Sequence, residues 1–464
     1  MSTSTTQNAP TVAIDRSTEP AVTDDASVKE VGLNAANPSL QNFPSVGLHT
    51  QLEQLQMIDQ ETPVSLRTQR LRQIACYLCM YISGYNCGVT GTLLPSIEKI
   101  YHLSYSSVAL LFVAFCIGYF LSAFGSGKVI ERWGFGMTFI GAGISMMIGI
   151  IINCSQLVSF ALMCFAFVAV GMGFATQLGL ANAYFAALPH PMVRMGLLHG
   201  LYGFGAFTSP LVASTFISHQ IKINLFYLTS LGLIVPSIII SYFAFVHGSA
   251  RYDRLPREPV VIVTQDMEVA TVTLKEVVSR YDVWILALFL LFYVGAEESI
   301  GGWIVSYMEV VRHGSAGGAA WVASGFYLGI AVGRVCLPFF NLLIGERRVV
   351  LLYIILAGGL QAISWAVKSF GATAVATALV GFVISTFYTA AIHMASKLLP
   401  RRMHTSAMTM ISGIGQSGSA IFPFIIGVIS NNKGIWTVQP SIVALLAGQF
   451  ICWSLVPRVG RRAE

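Results

Sequence analysis

Charge is what this chain has least of. Asp, Glu, Lys and Arg make up only 10% of its residues against 55% hydrophobic ones, and at 464 residues with mean hydropathy +0.69 that balance lies far from a soluble profile. It has no G-x-x-x-x-G-K-[ST] loop and no polar stretch large enough for an ATPase domain, which excludes a primary pump. It has no basic face interleaved with aromatics, so nucleic acid is not expected as a partner. Residues 1–45 are polar and lack an apolar core segment, and no cleavable signal is expected. The eight cysteines, among them Cys76, Cys79 and Cys87, lie almost entirely within apolar runs, which argues against a disulfide framework; no second pair or nearby His turns Cys76 and Cys79 into a metal site. No cofactor is expected. The sequon Asn153-Cys154-Ser155 hugs a span edge, where use is not expected.

What the chain has is length of apolar run. Runs of about 20 residues cross a hydrocarbon core at roughly 1.5 Å per residue. Twelve are predicted: 73–94, 105–126, 136–153, 157–180, 195–217, 225–247, 283–306, 319–342, 349–367, 372–394, 405–429 and 437–456. The fold expected is an all-α membrane protein of twelve transmembrane helices in two six-helix bundles. Its parts are a disordered tail over 1–66, a first bundle over 67–247, a linker over 248–282, a second bundle over 283–456 and a short tail over 457–464. Residues 48–61 and 272–282 could each form a short amphipathic helix.

Charge then sets orientation. With the N-terminus cytoplasmic, flanks and loops on that side carry fourteen Lys or Arg, including Arg67, Arg72, Lys128, Arg132, Arg194, Arg348, Lys397, Arg458, Arg461 and Arg462. The opposite side carries five: Lys99, Lys222, Arg312, Lys368 and Lys433. That asymmetry places both termini inside, and a monomer in the plasma membrane is expected.

One offset recurs along the whole chain. At 211 residues Gly84 pairs with Gly295, Gly91 with Gly302, Gly118 with Gly329, Gly134 with Gly345 and Pro189 with Pro400. Each repeat holds six spans, so the two halves have the same orientation and are related by an axis along the membrane normal, as in parallel-repeat transporters.

GKVIERWGF, residues 127–135, resembles the loop signature G-x-x-x-D-R-x-G-[RK] of the major facilitator superfamily, with Glu131 in the Asp place and Phe135 where a base is usual. YNCGVTGTLLPSI (85–97), HGLYGFGAFTSPLVAS (199–214), YVGAEESIGGW (293–303) and GQSGSAIFPFIIG (415–427) resemble the fungal branch of its fucose-proton symporter-like transporters. The resemblance implies alternating access, with Lys128, Glu131 and Arg132 as gating charges and Arg334 as their remnant in the second half. It also implies a helix-1 acid where this chain has Cys87 after Asn86. Sugar specificity and that coupling route therefore do not carry over. Glu297 falls on the branch's helix-7 acid and Glu298 is extra.

An ionised carboxylate in hydrocarbon costs several kcal/mol, so acids in mid-span must line water, find a partner or stay protonated. Adjacent helical residues point about 100° apart, and Glu297 is expected to face the cavity while Glu298 meets a neighbouring helix. Both are candidates for proton coupling. The 211-residue offset sets Asn86 against Glu297 and Asn182 against His393; with Gln177, His199 and Gln416 these form the candidate substrate site for a small polar or anionic solute. Each has an interhelical hydrogen bond as its rival role, worth about 1 kcal/mol in membranes. The function expected is a proton-coupled secondary transporter, for uptake of a sugar or organic acid or for efflux of a metabolite. The alternative is a non-transporting nutrient sensor on the same fold, against which stands the short segment of eight residues after the last span. An enzyme is not expected, because His199 and His393 lack partners at ligand spacing.

Overall fold

The computed structural model describes residues 65–155, 159–189, 191–247 and 274–457. The expectations for the N-terminal tail, for 48–61, for most of the linker and for Arg458, Arg461 and Arg462 lie outside them. Among the described residues the chain is helical: α1 (Leu66–Tyr101), α2 (Leu110–Cys154), α3 (Phe160–Ala186), α4 (Pro191–Ser218), α5 (Phe226–Tyr242), α6 (Tyr281–Val310), α7 (Ala316–Ile344), α8 (Glu346–Ala366), α9 (Phe370–Ile384), α10 (Phe387–Leu398), α11 (His404–Lys433) and α12 (Val438–Leu455).

Nine helical segments among these residues are long and apolar enough to cross a membrane. One of them, Tyr105–Cys154, is 50 residues long and breaks at Gly134, where φ is 76° and ψ 173°, so it holds two arms. α1 and α4, whose polar residues place them outside that set, are long enough to span as well. The arrangement is consistent with twelve crossings.

Serines set the boundaries. Ser65, Ser104, Ser159, Ser315 and Ser369 each accept a backbone N–H of the following first turn, which satisfies one donor that a helix start leaves open. Four of these caps obey the repeat: Ser104 and Ser315 are 211 residues apart, and Ser159 and Ser369 are 210 apart. The backbone repeats too. His102 and His313 both have left-handed φ, at 52° and 53°, and so do Gly134 and Gly345, at 76° and 91°. Each pair is separated by 211 residues, which makes the second half a conformational copy of the first.

Packing follows the same rule. In the first half α1 packs on α4 and α5, and α2 on α3 and α5; in the second α6 packs on α11 and α12, α7 on α9, and α8 on α9 and α12. The halves meet through α1 against α6, α4 against α7 and α2 against α11. Under the repeat the last two contacts exchange and the first maps onto itself, so α1 and α6 flank the pseudo-two-fold axis. Gly91 touches its own mate there: a Cβ on Gly91 would stand 2.0 Å from the Gly301 carbonyl oxygen and 2.8 Å from the Gly302 Cα. The shortened face of one helix admits the backbone of the other, as at small-residue crossings in membranes.

Several charges read from sequence as orientation signals also have structural work. Arg72 is buried, donates from Nε to the Ala244 carbonyl at 3.1 Å and lies over the Phe245 ring. Arg312 donates to Thr373 Oγ1 at 3.0 Å and to the Ser364 carbonyl at 2.8 Å. Asn153 of the sequon is buried, which removes it as a glycan acceptor. The linker helix is shorter than expected, Leu274–Val278, and is followed by an Arg280–Asp282 pair at the start of α6.

Candidate functional site

The chain places its mid-membrane charges where the two halves join. α6 carries Glu297 and Glu298 on successive positions, and they diverge as helix geometry requires. Glu297 turns toward α7, where Arg334 donates from Nη2 to Glu297 Oε1 at 3.4 Å. Glu298 turns across the junction, with Cys87 of α1, Tyr202 of α4 and Tyr327 of α7 as its electrostatic neighbours. Glu297 is thus engaged by a neighbouring helix of its own half, and Glu298 has neighbours in both halves. The phase of α6 about its own axis, fixed by its packing on α11 and α12, decides this, and it is not a local property of the sequence.

Cys87 and Glu298 are themselves 211 residues apart. The position at which the resemblance implies an acid on α1 and the extra acid on α6 are therefore equivalent positions of the two halves, and they are electrostatic neighbours across the junction. Tyr202 touches the Cys87 thiol. His199, one turn before Tyr202 on α4, lies by Arg334.

Arg334 sits on the inner face of α7. Leu328, Val332, Val335 and Phe339 form its exposed lipid side, while Ala331 packs on Gly203 of α4. A membrane arginine is costly unless paired or wet. Here it is paired, through one carboxylate contact, and its side chain keeps 20% of its surface open. The buried Tyr293 hydroxyl stands between Glu297 and Arg334 without a hydrogen bond of good geometry. The site is thus a guanidinium, two carboxylates, an imidazole, a thiol and three phenols drawn from both halves.

The remaining candidates fall elsewhere. Asn86 donates to the Ile82 carbonyl of its own helix at 2.9 Å, and its neighbour Cys87 supplies the junction contact instead. Gln177 is buried in the first half, accepting from Cys79 Sγ at 3.0 Å and donating to the Phe139 carbonyl at 3.4 Å. That is the interhelical role. Asn182 on α3 is half-buried with Oδ1 shielded and unpartnered. His393 does not meet Asn182: it bonds through Nδ1 to Glu346 at the start of α8, a carboxylate shared with Lys397 at 3.5 Å. Gln416 is half-buried, one position round from the Gly415 face that packs on Leu290 of α6. Lys128, Glu131 and Arg132 are exposed and form no ion pair with a described residue, and Arg334 lies at the junction of the halves. Tyr202, Tyr293 and Tyr327 were not singled out in the sequence. Tyrosine is common at membrane borders, and only their spacing from Glu297 and Arg334 in three dimensions distinguishes them.

Two like-built helical halves with charged groups buried at their junction define a polytopic membrane transporter. The family model of the Major Facilitator Superfamily matches residues 76–317 and again 296–463, and the chain belongs to that superfamily, whose members are transporters and not enzymes. It is 25% identical over 413 residues to Bypass of stop codon protein 6 of Saccharomyces cerevisiae, covering 84% of this chain and 83% of that one. Its fold is that of a nucleoside transporter (TM-score 0.65, 12% identity, 83% of this chain and 100% of the other). The fucose:proton symporter of E. coli is similar as well, with a TM-score of 0.57, 16% identity, and coverage of 83% of this chain and 98% of the symporter.

Proposed function

We propose that the protein is a proton-coupled secondary transporter of a small organic solute that works by alternating access, with its termini cytoplasmic. The observation that carries this reading is the position of the carboxylate pair: Glu297 bound to Arg334 within the second half, and Glu298 against Cys87 and Tyr202 of the first. A rocking motion of one half on the other changes the surroundings of Glu298 and not its own helix. Groups whose charge is offset in one state and uncovered in the other can take a proton on one side and release it on the other. Glu297 and Glu298 are the groups proposed to carry that proton.

The two named structural neighbours support a solute-carrying reading in a general way: one is described as a nucleoside transporter, the other as a fucose:proton symporter. The test is flux in reconstituted vesicles loaded with a cell metabolite extract. Glu297→Gln should abolish accumulation driven by a pH gradient while counterflow exchange stays measurable. Undiminished gradient-driven accumulation in that variant would remove Glu297 from the coupling pair.

A further inference from the structure

We infer that the solute is a small organic monoanion, that its carboxylate binds Arg334 in place of Glu297, and that one proton enters the Glu297/Glu298 pair with it. The inference rests on the transporter reading and adds the class of solute to it.

The geometry of Arg334 is that of a receptor incompletely filled. A guanidinium offers five N–H donors in a planar fork that matches a carboxylate edge to edge. Glu297 engages it through a single contact, Nη2 to Oε1, at 3.4 Å, longer than a charge-assisted bond prefers. The nearby Tyr293 hydroxyl is buried and without a well-formed partner. His199 approaches from α4, so the receptor is closed by residues of both halves. A carboxylate arriving from the junction would find the fork with the Tyr293 phenol beside it and the His199 imidazole in its field, and could bind side-on where Glu297 makes a single contact.

Charge balance then links solute to proton. The groups that face the pair are Arg334 and Tyr327 on α7, Tyr293 on α6 itself, His199 and Tyr202 on α4, and Cys87 on α1; of the other helices packed on α6, α11 brings the neutral Gln416, α12 the neutral Gln449, which donates to the Phe292 carbonyl at 3.4 Å, and α10 the Phe387 ring against Tyr293. Arg334 is the sole fixed cation among them. In the unfilled site it offsets Glu297. When a monoanion takes Arg334, Glu297 loses its counter-ion beside a second carboxylate, and a carboxylate in a dry junction without a cation takes a proton. The arriving anion and proton together leave the net charge of the site unchanged. A neutral sugar would leave the Arg334–Glu297 pair intact and would bring no proton by this route.

Binding to the purified full-length chain, read as a shift in thermal unfolding between pH 5.5 and 8, tests this without any flux. The probes are acetate, lactate and benzoate, with D-glucose as the neutral comparison. At least one carboxylate should stabilise the wild type, more strongly at the lower pH, and glucose should not. Glu297→Gln should bind the same carboxylate ~tenfold more tightly and with no pH dependence beyond the ligand's own, because the competing acid is gone. Arg334→Gln should lose binding, and Arg334→Lys should keep part of it as a point charge. If Arg334→Gln does not fold, the Glu297→Gln result decides alone. Stabilisation by glucose that survives Arg334→Gln, no response to any carboxylate, or a Glu297→Gln protein that keeps the wild-type pH dependence would each overturn the inference. The vesicle flux experiment judges the transporter reading separately, since a coupled carrier of neutral solutes would still lose gradient-driven accumulation on Glu297→Gln.

Discussion

At the scale of single residues, the finding that matters is that Cys87 and Glu298 occupy equivalent places in the two halves and are electrostatic neighbours across the junction. Both places lie among α1, α4 and α6, so an acid at either is expected to serve the junction. Two acids there would repel at short range. Glu298→Gln is therefore expected to cut gradient-driven flux by at least ~tenfold. Adding Cys87→Asp to that variant should restore most of it, whereas Cys87→Asp alone should not improve on the wild type. Parallel measurement of pH-driven accumulation in the three variants checks this, and a double variant as inactive as Glu298→Gln would show that the two places are not interchangeable. Much of this was legible early. The paired acids, His199 and Arg334 stand out by being polar in apolar spans. What they touch was not legible, because partners such as Arg334 for Glu297 depend on how α6 and α7 are rotated when packed, and on no spacing within either. The equivalence of positions 87 and 298 follows from the same 211-residue offset that pairs Asn86 with Glu297; that both lie at the junction of the halves does not.

At the scale of helices, glycine fixes how closely the halves can approach. Gly91 of α1 meets Gly301 and Gly302 of α6 with no room for a methyl group, on the side of the site remote from the start of α1. Nearby, Lys99 Nζ reaches Glu309 Oε2 at 3.6 Å, the Tyr105 ring packs edge-on to Trp303, and Trp303 donates to the Pro423 carbonyl at 3.0 Å. The structure thus shows a closed junction on that face. Gly91→Val would overpack it, at a cost of about 1–3 kcal/mol, in the closed state alone. Hydrogen exchange should then rise at the ends of α1 and α6, near residues 98–110 and 305–315, while the opposite ends stay protected; unchanged exchange at both would mean that this contact does not control opening. The helices themselves were readable from sequence, since apolar length is a local signal. Their ends were less so: between the spans predicted at 105–126 and 136–153 the first arm stays helical through most of the expected loop, and the break falls at Gly134.

At the scale of the whole molecule, the pseudo-two-fold arrangement makes the account mechanical. α1 and α6 meet near the axis, α4–α7 and α2–α11 exchange under it, and the backbone repeats at His102/His313 and Gly134/Gly345 show that the halves are copies in conformation as well as in order. Copies that meet through narrow contacts around a central charged cluster can rock as units about it. That architecture was foreseeable from the 211-residue offset, whereas the state in which the molecule rests was not, because open and closed forms share one sequence and one set of helices. The most direct measurement is a pair of distances taken by spin labelling in lipid: one across the face where α1 and α6 end, between positions 100 and 310, and one across the other face, between positions 197 and 339, all four being exposed side chains. Between pH 5.5 and 8 the account predicts two populations at each pair, with the first distance growing as the second shrinks. Distances that stay single and fixed, or that lengthen and shorten together, would contradict it.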